Sequence, residues 1–279
     1  MDIKGWKYYN HAAIPTTAPH DKPELQPIED GSIWKLENVP LLARWTTEFD
    51  SEHDTNWWYV IKDTPFDISS LKAKRRYEIN KGMDNYKVIE IDPLNYKEEL
   101  YGVQVAAFSA YPEKYRPTVK KTSFFEDIDK WKQYVVLGAF FRENNELSGY
   151  ALLSKESEHY TDFKVLKTKP NHERNAVNAA LVEGVLRYFK TFLVNGGYIC
   201  DGARSIQHET AFQDYLEKYF NFRKAYCKLH IVYRPKVGWI VKLAYPLRKL
   251  FIMFDKINLF HQINAVLKME EITRIDTGL

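Results

Sequence analysis

The stretch that decides the fold runs from Gly196 to Pro235: GGYICDGARSIQHETAFQDYLEKYFNFRKAYCKLHIVYRP. It divides into strand, helix and strand. Tyr198, Ile199 and Cys200 form a short apolar strand after the Gly196-Gly197 break. Asp201, Gly202, Ala203 and Arg204 close it with polar groups at its C-terminal end, the end at which open α/β sheets bind ligands. Residues 208–219 carry Ala211, Phe212, Tyr215, Leu216 and Tyr219 at helical spacing, and Asn221 is placed as a left-handed cap. From Ala225 to Arg234 the side chains alternate. Ala225, Cys227, Leu229, Ile231 and Tyr233 face one way; Tyr226, Lys228, His230, Val232 and Arg234 face the other.

Upstream, residues 173–194 predict a long helix with Val177, Leu181, Val185, Tyr188 and Phe192 on one stripe, stopped by Asn195-Gly196-Gly197. His159 to Thr168 predicts a strand, broken by Pro170. Tyr134 to Phe141 and Leu147 to Ser154 form a hairpin, with Gly149 marking a bulge or a close approach. Further upstream the periodicity predicts a short strand over 88–91, a helix over 96–110 and another over 122–132. The run DISSLKAKRRYEINKGMDNYKV, residues 67–88, predicts a helix capped by Ser69 or Ser70 and ended at Lys81-Gly82. Lys72, Lys74, Arg75, Arg76 and Lys81 concentrate on it. Such a run is either an exposed, solvated helix face or a clamp for phosphate groups.

Residues 1–66 read as a Trp-rich segment that contributes to a substrate groove. Five of the seven Trp lie there: Trp6, Trp34, Trp45, Trp57 and Trp58. Ile33 to Leu36, Leu41 to Thr47 and Trp57 to Ile61 suggest short strands. Tyr8 to Thr17 shows no period and reads as a loop, lining a pocket or packed on a sheet. Asp50, Glu52, His53 and Asp54 read as a polar turn, or as a site for an amine or sugar hydroxyl beside Trp57 and Trp58. Residues 236–279 read as an amphipathic helical tail. Within 237–267, Trp239, Ile240, Leu243, Leu247, Phe251 and Phe254 share an apolar side, while Lys242, Arg248, Lys249 and Lys256 add positive charge. That pattern suits an anionic membrane surface. It equally suits covering the domain or pairing with a second copy as a homodimer. The expected boundaries are therefore 1–66, 67–235 and 236–279.

A chain of 279 residues buries a sizeable core without help. A net charge of +3 is too balanced to imply nucleic acid by itself. No His or Cys spacing suits a metal, and no nucleophile elbow, Walker loop or dinucleotide fingerprint occurs. Cys200 and Cys227, in strands expected to be neighbours, read as reduced, buried residues. The start MDIKGWKYYN lacks the apolar core of a signal peptide, and no run of about 18 apolar residues is present. These features lead us to expect a cytoplasmic protein, with the tail allowing peripheral membrane contact.

The order of these elements resembles the GNAT acyltransferase superfamily over roughly Asp67 to Arg234. Within it, the chain looks similar to the Fem-type peptidoglycan-bridge aminoacyl transferases. The resemblance implies an α/β (α+β) fold: a mixed, mostly antiparallel sheet with splayed central strands, flanked by helices. In GNAT proteins the fourth strand splays from the fifth, and the gap takes the pantetheine arm of an acyl-CoA. The corresponding strands here are His159 to Thr168 and Tyr198 to Ala203, with Val165, Leu166, Lys167 and Cys200 on the walls. The pyrophosphate would sit at the helix start near Arg174, Asn175 and Asn178, where orphan N–H groups and the helix dipole favour anions. The family loop Gln/Arg-x-x-Gly-x-Gly/Ala is replaced by His172-Glu173-Arg174-Asn175-Ala176-Val177-Asn178, with neither glycine. A degenerate loop is also what the Fem-like branch shows. Tyr215, Lys218 and Asn221-Phe222 echo the family's late Tyr, Lys and Gly-Phe at a longer spacing, which makes Tyr215 a candidate general acid. The basic helix of Fem-like domains maps onto Lys72, Arg75 and Arg76 as substrate-binding residues.

Acyl transfer to an amine needs a proton acceptor for the nucleophile and an N–H donor for the oxyanion. Asp201 and His208 are the candidate bases, Glu209 the third. Arg204 is placed to hold an acidic group and to keep Asp201 ionised. Asp201 with Arg204 suits a structural ion pair or cap equally well, and His208 suits an ordinary first-turn residue. Trp57, Trp58 and Arg204 are the expected acceptor contacts. The expected activity moves an acyl or aminoacyl group from acyl-CoA (acetyl-CoA), or from aminoacyl-tRNA as the donor, onto an amine without a metal. The acceptor class is a small molecule, an amino sugar or a glycan precursor of the cell envelope. The alternative is a non-catalytic carbohydrate- or peptide-binding module on a degenerate GNAT fold.

Overall fold

The computed structural model describes residues 2–111, 113, 116–206 and 211–277. In chain order the first elements are β1 (Trp6–Tyr9), β2 (Ala12–Pro15), α1 (Gln26–Glu29), β3 (Leu42–Thr47), β4 (Trp57–Lys62), α2 (Ala73–Asn85) and β5 (Tyr86–Glu90). Next come α3 (Lys97–Ser109), α4 (Lys121–Lys130), β6 (Val135–Phe141), β7 (Glu146–Lys155), β8 (Tyr160–Thr168), α5 (Val177–Tyr188) and α6 (Lys190–Val194). The chain ends with β9 (Tyr198–Ala203), α7 (Ala211–Phe220), β10 (Arg223–Tyr233), α8 (Pro235–Ala244), α9 (Arg248–Ile252) and α10 (Asn258–Thr277). The chain forms two compact units, both discontinuous in sequence. One comprises Met1–Val60, Ala203–Ala211 and Lys224–Leu279; the other comprises Ile61–Gly202 and Phe212–Arg223.

In the first unit the strand order is β1-β2-β3-β10-β4. β1 and β2 pair across Asn10 and His11, whose φ values of 44° and 63° make a two-residue turn of the kind that matches strand twist. Tyr8 to Thr17 is therefore a hairpin and not a periodless loop. Its signal, an Asn at the first turn position, is easily hidden when the second residue is not glycine. The expected strand over Ile33 to Leu36 is instead a 3₁₀ turn, Ser32–Lys35, entered through Gly31 at φ 74°. β3 pairs with β10 from Leu42↔Tyr233 to Thr47↔Lys228. The alternation of β10 is realised: Ala225, Cys227 and Leu229 are buried, while Tyr226, Lys228 and His230 are half-buried. Cys227 and Leu229 pack with Trp57 and with Ile272 of α10.

The second unit has the strand order β9-β8-β7-β6-β5, antiparallel from β5 through β8 and parallel between β8 and β9. The sheet is covered on both faces. Val136, Phe140, Tyr150 and Leu152 pack with Leu100 and Val103 of α3 and with Phe124 and Ile128 of α4. The opposite set, Leu137, Ala139, Ala151 and Leu153, is equally buried on the α5 side. α5 is apolar on most of its circumference because it lies between the sheet and α2. α2 does not stop at Lys81-Gly82. Gly82 lies within the helix, and the close packing explains the glycine: a Cβ there would meet the Ala176 carbonyl oxygen at 2.7 Å and the Ala180 nitrogen at 2.9 Å. The long helix expected over 173–194 is three pieces: a 3₁₀ turn, Pro170–Asn175, then α5 and α6. Ala176, at φ 65°, ψ 38°, ends the turn and starts α5. Neither Cys200 nor Cys227 is in a disulfide, and both are buried, one in each unit.

Candidate active site at the parting of two strands

β8 is laddered to β7 from Thr161↔Lys155 to Thr168↔Gly149. On its other side it pairs with β9 only at Tyr160↔Tyr198, Thr161↔Ile199 and Asp162↔Cys200, although β8 continues to Thr168. The strands therefore part, as the resemblance implies, after Asp162 and Cys200. A local cause is visible in the register: Leu152 faces Val165 and Leu153 faces Phe163, so Lys164 is an extra residue in β8. A bulge bends its strand and increases local twist, and this one lies just past the last β9 pair. Beyond it, β8 has no β9 partner among the described residues, so the main-chain groups of Val165, Leu166 and Lys167 on that edge can serve a ligand. Val165 and Leu166 are half-buried, and the Lys167 ammonium lies over the rings of Phe108 and Tyr111, at 5.0 and 5.9 Å.

Asp201 sits on β9 one residue past the last pair. Burial pushes its carboxyl up to about 7, the Asp162 carboxylate pushes in the same direction, and a hydrogen bond from Gln213 opposes them. The expectation that Arg204 keeps Asp201 ionised is corrected: burial dominates. Gln213 is itself buried in α7, at the spacing of Leu216 and Phe220. A polar residue at a core position of an amphipathic helix was the signal for it, and the sequence reading passed over it. Tyr215, on the same helix, has a buried hydroxyl beside the Glu78 carboxylate. Burial and the Glu78 charge raise it far above the ordinary phenol range. His208 and Glu209 lie outside the described residues.

The helix start assigned to phosphate is built differently from a glycine loop. The Arg174 carbonyl accepts from Lys81 Nζ at 2.7 Å, and the Asn175 carbonyl accepts from Asn85 Nδ2 at 3.3 Å. Asn178 Oδ1 accepts from the Thr168 hydroxyl at 2.9 Å, while the Arg174 side chain is exposed. Beneath the turn, buried His172 contacts the Tyr86 hydroxyl at 2.9 Å through Nδ1, and Glu146 lies 3.5 Å from its Nε2. Lys169 pairs with Glu146 at 2.6 Å. This network fixes the turn and was not legible in the sequence.

The basic helix is less free than expected. Lys72 is exposed, but Arg75 and Arg76 are half-buried. Arg76 donates to the Leu71 carbonyl at 2.6 Å, closing the turn before α2, and the Arg75 guanidinium lies over the Tyr219 ring at 5.7 Å. Planar, multidentate guanidinium groups make such capping and stacking contacts readily. In the first unit Trp57 is corrected from acceptor contact to core residue: it is 2% exposed. Two cations lie over the Trp58 ring, Arg204 at 4.4 Å and Lys224 at 4.5 Å from its centre. Arg204 also donates to the Asn56 carbonyl at 2.6 Å.

No protein-family model matches the chain, and no curated protein sequence matches it. Solved structures do. A C-terminal domain, DUF2156, of a protein assigned as a lysylphosphatidylglycerol synthetase from Agrobacterium fabrum is 10% identical. The match covers 85% of this chain and 82% of that one with a TM-score of 0.52. L-PGS from Bacillus licheniformis is 12% identical, with 82% and 79% covered and a TM-score of 0.50. A conserved protein of unknown function from Bacteroides thetaiotaomicron is 10% identical, with 79% and 78% covered and a TM-score of 0.51. The fold shared with these structures is a mixed α/β sheet, mostly antiparallel, flanked by helices. These similarities support that fold and do not extend to the Fem-like branch.

Proposed function

We propose that the chain is an acyl- or aminoacyl-transferase whose chemistry is centred on Asp201. The observation that carries this reading is the half-buried Asp201 carboxyl at the point where β8 and β9 part, pushed up to about 7 by desolvation. In this reading the donor's carbonyl lies along the open edge of β8, where a main-chain N–H of Val165, Leu166 or Lys167 holds the oxyanion. Asp201, ionised, takes the proton of an acceptor amine. Tyr215 returns one to the leaving group. An acyl thioester of CoA and an aminoacyl ester of tRNA both supply the activated carbonyl. The amine belongs to a small molecule, an amino sugar or an envelope precursor. The glycine-free turn before α5 favours a donor held by something other than a glycine phosphate loop. The same turn favours a second reading, a binding module without turnover.

The test is a thermal-shift screen with acyl-CoA and aminoacyl-tRNA, because a ligand bound only by the native state raises the melting temperature. With the donor found, Asp201→Asn should bind it unchanged and lose turnover by about 10²–10⁴-fold. The wild-type rate should rise with pH, with an acidic midpoint near the carboxyl's value of about 7. Binding without turnover in the wild type supports the second reading. Full turnover in a folded Asp201→Asn removes the aspartate from the mechanism.

A further inference from the structure

We infer that residues 235–259 form an arm that docks on an anionic phospholipid surface. The inference is independent of the transferase reading. Among the described residues, half of the exposed large apolar side chains fall between residues 239 and 259, and the others are scattered along the chain. Trp239 is 69% exposed, Leu243 73% and Met253 75%; Ile240, Leu247 and Ile252 are also mostly exposed. On α8 only Val241 is buried, and on α9 nothing is. Soluble proteins seldom display so dense a patch without something to cover it.

The arm is not a poorly folded end. α10 holds it from behind. Ile272 and Leu267 are buried, Arg248 pairs with Glu271 at 3.3 Å, and Asn264 Nδ2 donates to the Phe251 carbonyl at 3.1 Å. The apolar side chains thus point outward from a structured support.

Charge names the occupant. Residues 235–259 contain Lys236, Lys242, Arg248, Lys249 and Lys256 against one acidic residue, Asp255, whose carboxylate is held by Asn264 at 2.7 Å and His261 at 3.0 Å. Lys236, Lys242 and Lys249 are exposed and make no ion pair among the described residues. The Lys242 ammonium lies 5.8 Å from the Trp239 ring, a pairing of indole and cation that suits the headgroup layer. A second copy of the chain would set these same lysines against one another, because a two-fold interface repeats one patch on both sides. Anionic headgroups over acyl chains satisfy both the lysines and the apolar side chains. No helix among the described residues is long and apolar enough to cross a membrane, so the arm would lie in the interface.

The test is co-sedimentation of the full chain with vesicles of phosphatidylcholine alone and of phosphatidylcholine mixed with phosphatidylglycerol. The mixed vesicles should bind the protein, less tightly as salt is raised. Each lysine near such a surface contributes roughly fivefold, so Lys236→Gln, Lys242→Gln and Lys249→Gln together should weaken binding about a hundredfold. Trp239→Ser with Leu243→Ser should abolish it while leaving the melting temperature within about 2 °C, since both side chains are exposed. Equal binding to both vesicles, or none, overturns the inference. So does a dimer in solution that the Trp239 and Leu243 changes dissociate while vesicle binding is absent.

Discussion

The two edges of β8 have opposite fates. Towards β7 the ladder runs to Thr168 and is locked by packing: a Cβ on Gly149 would meet the Lys167 carbonyl oxygen at 2.9 Å and Thr168 Cγ2 at 2.7 Å. Towards β9 it ends at Asp162. One strand is thus rigid scaffold on one side and open main chain on the other. A site gains precision when its reactive edge belongs to an element fixed elsewhere. The bulge at Lys164 converts one edge into the other.

The comparison can be broken most forcefully on the closed edge. Gly149→Val should cost about 3 kcal/mol in denaturant unfolding, because the atoms it meets include main chain that cannot step aside. Gly82→Ala should cost about 2 kcal/mol: its helix-propensity gain of about 1 kcal/mol is smaller than the clash with the Ala176 carbonyl. His172→Leu removes the partner of a buried Tyr86 hydroxyl and should cost about 1–2 kcal/mol by the same measurement. Arg76→Ala, which unseats the turn before α2, should cost about 1 kcal/mol. On the open edge Lys167→Ala should stay within about 0.5 kcal/mol, its loss limited to ring contacts. A Lys167 variant as unstable as the Gly149 variant would erase the contrast.

Much of this was readable from residues alone. The alternation of β10 and the left-handed Asn221 at φ 55° follow from local rules, whereas the parting of 159–168 from 198–203 came from the resemblance. What was not readable depends on partners distant in sequence. Gly82 looks like a stop until α5 is packed on it. Asp201 looks ionised because Arg204 is three residues away; its surroundings, Gln213 and Asp162, belong to other elements. Trp57 and Trp58 look alike in a list of aromatics, yet alternate positions on one strand send one to the core and the other beneath two cations. The turn at 170–175 departs from the glycine loop of the resemblance, and the residues that stabilise it, Tyr86, Lys81 and Glu146, lie far upstream or across the sheet.

The central claim, a carboxyl held near neutrality where β8 and β9 part, can be measured without knowing the substrate. A folded-state pKa of about 7 against an ordinary value of 3.8 means that folding favours the protonated form. Stability is then lost as pH rises from about 4 to about 7 and stays low above that. Asp201→Asn removes the penalty. The difference in unfolding free energy between variant and wild type should be near zero at pH 3.5, grow through pH 4–7, and level off at a gain on the order of 2–4 kcal/mol. A difference that does not change across this range, or a variant that becomes less stable than wild type as pH rises, would contradict it.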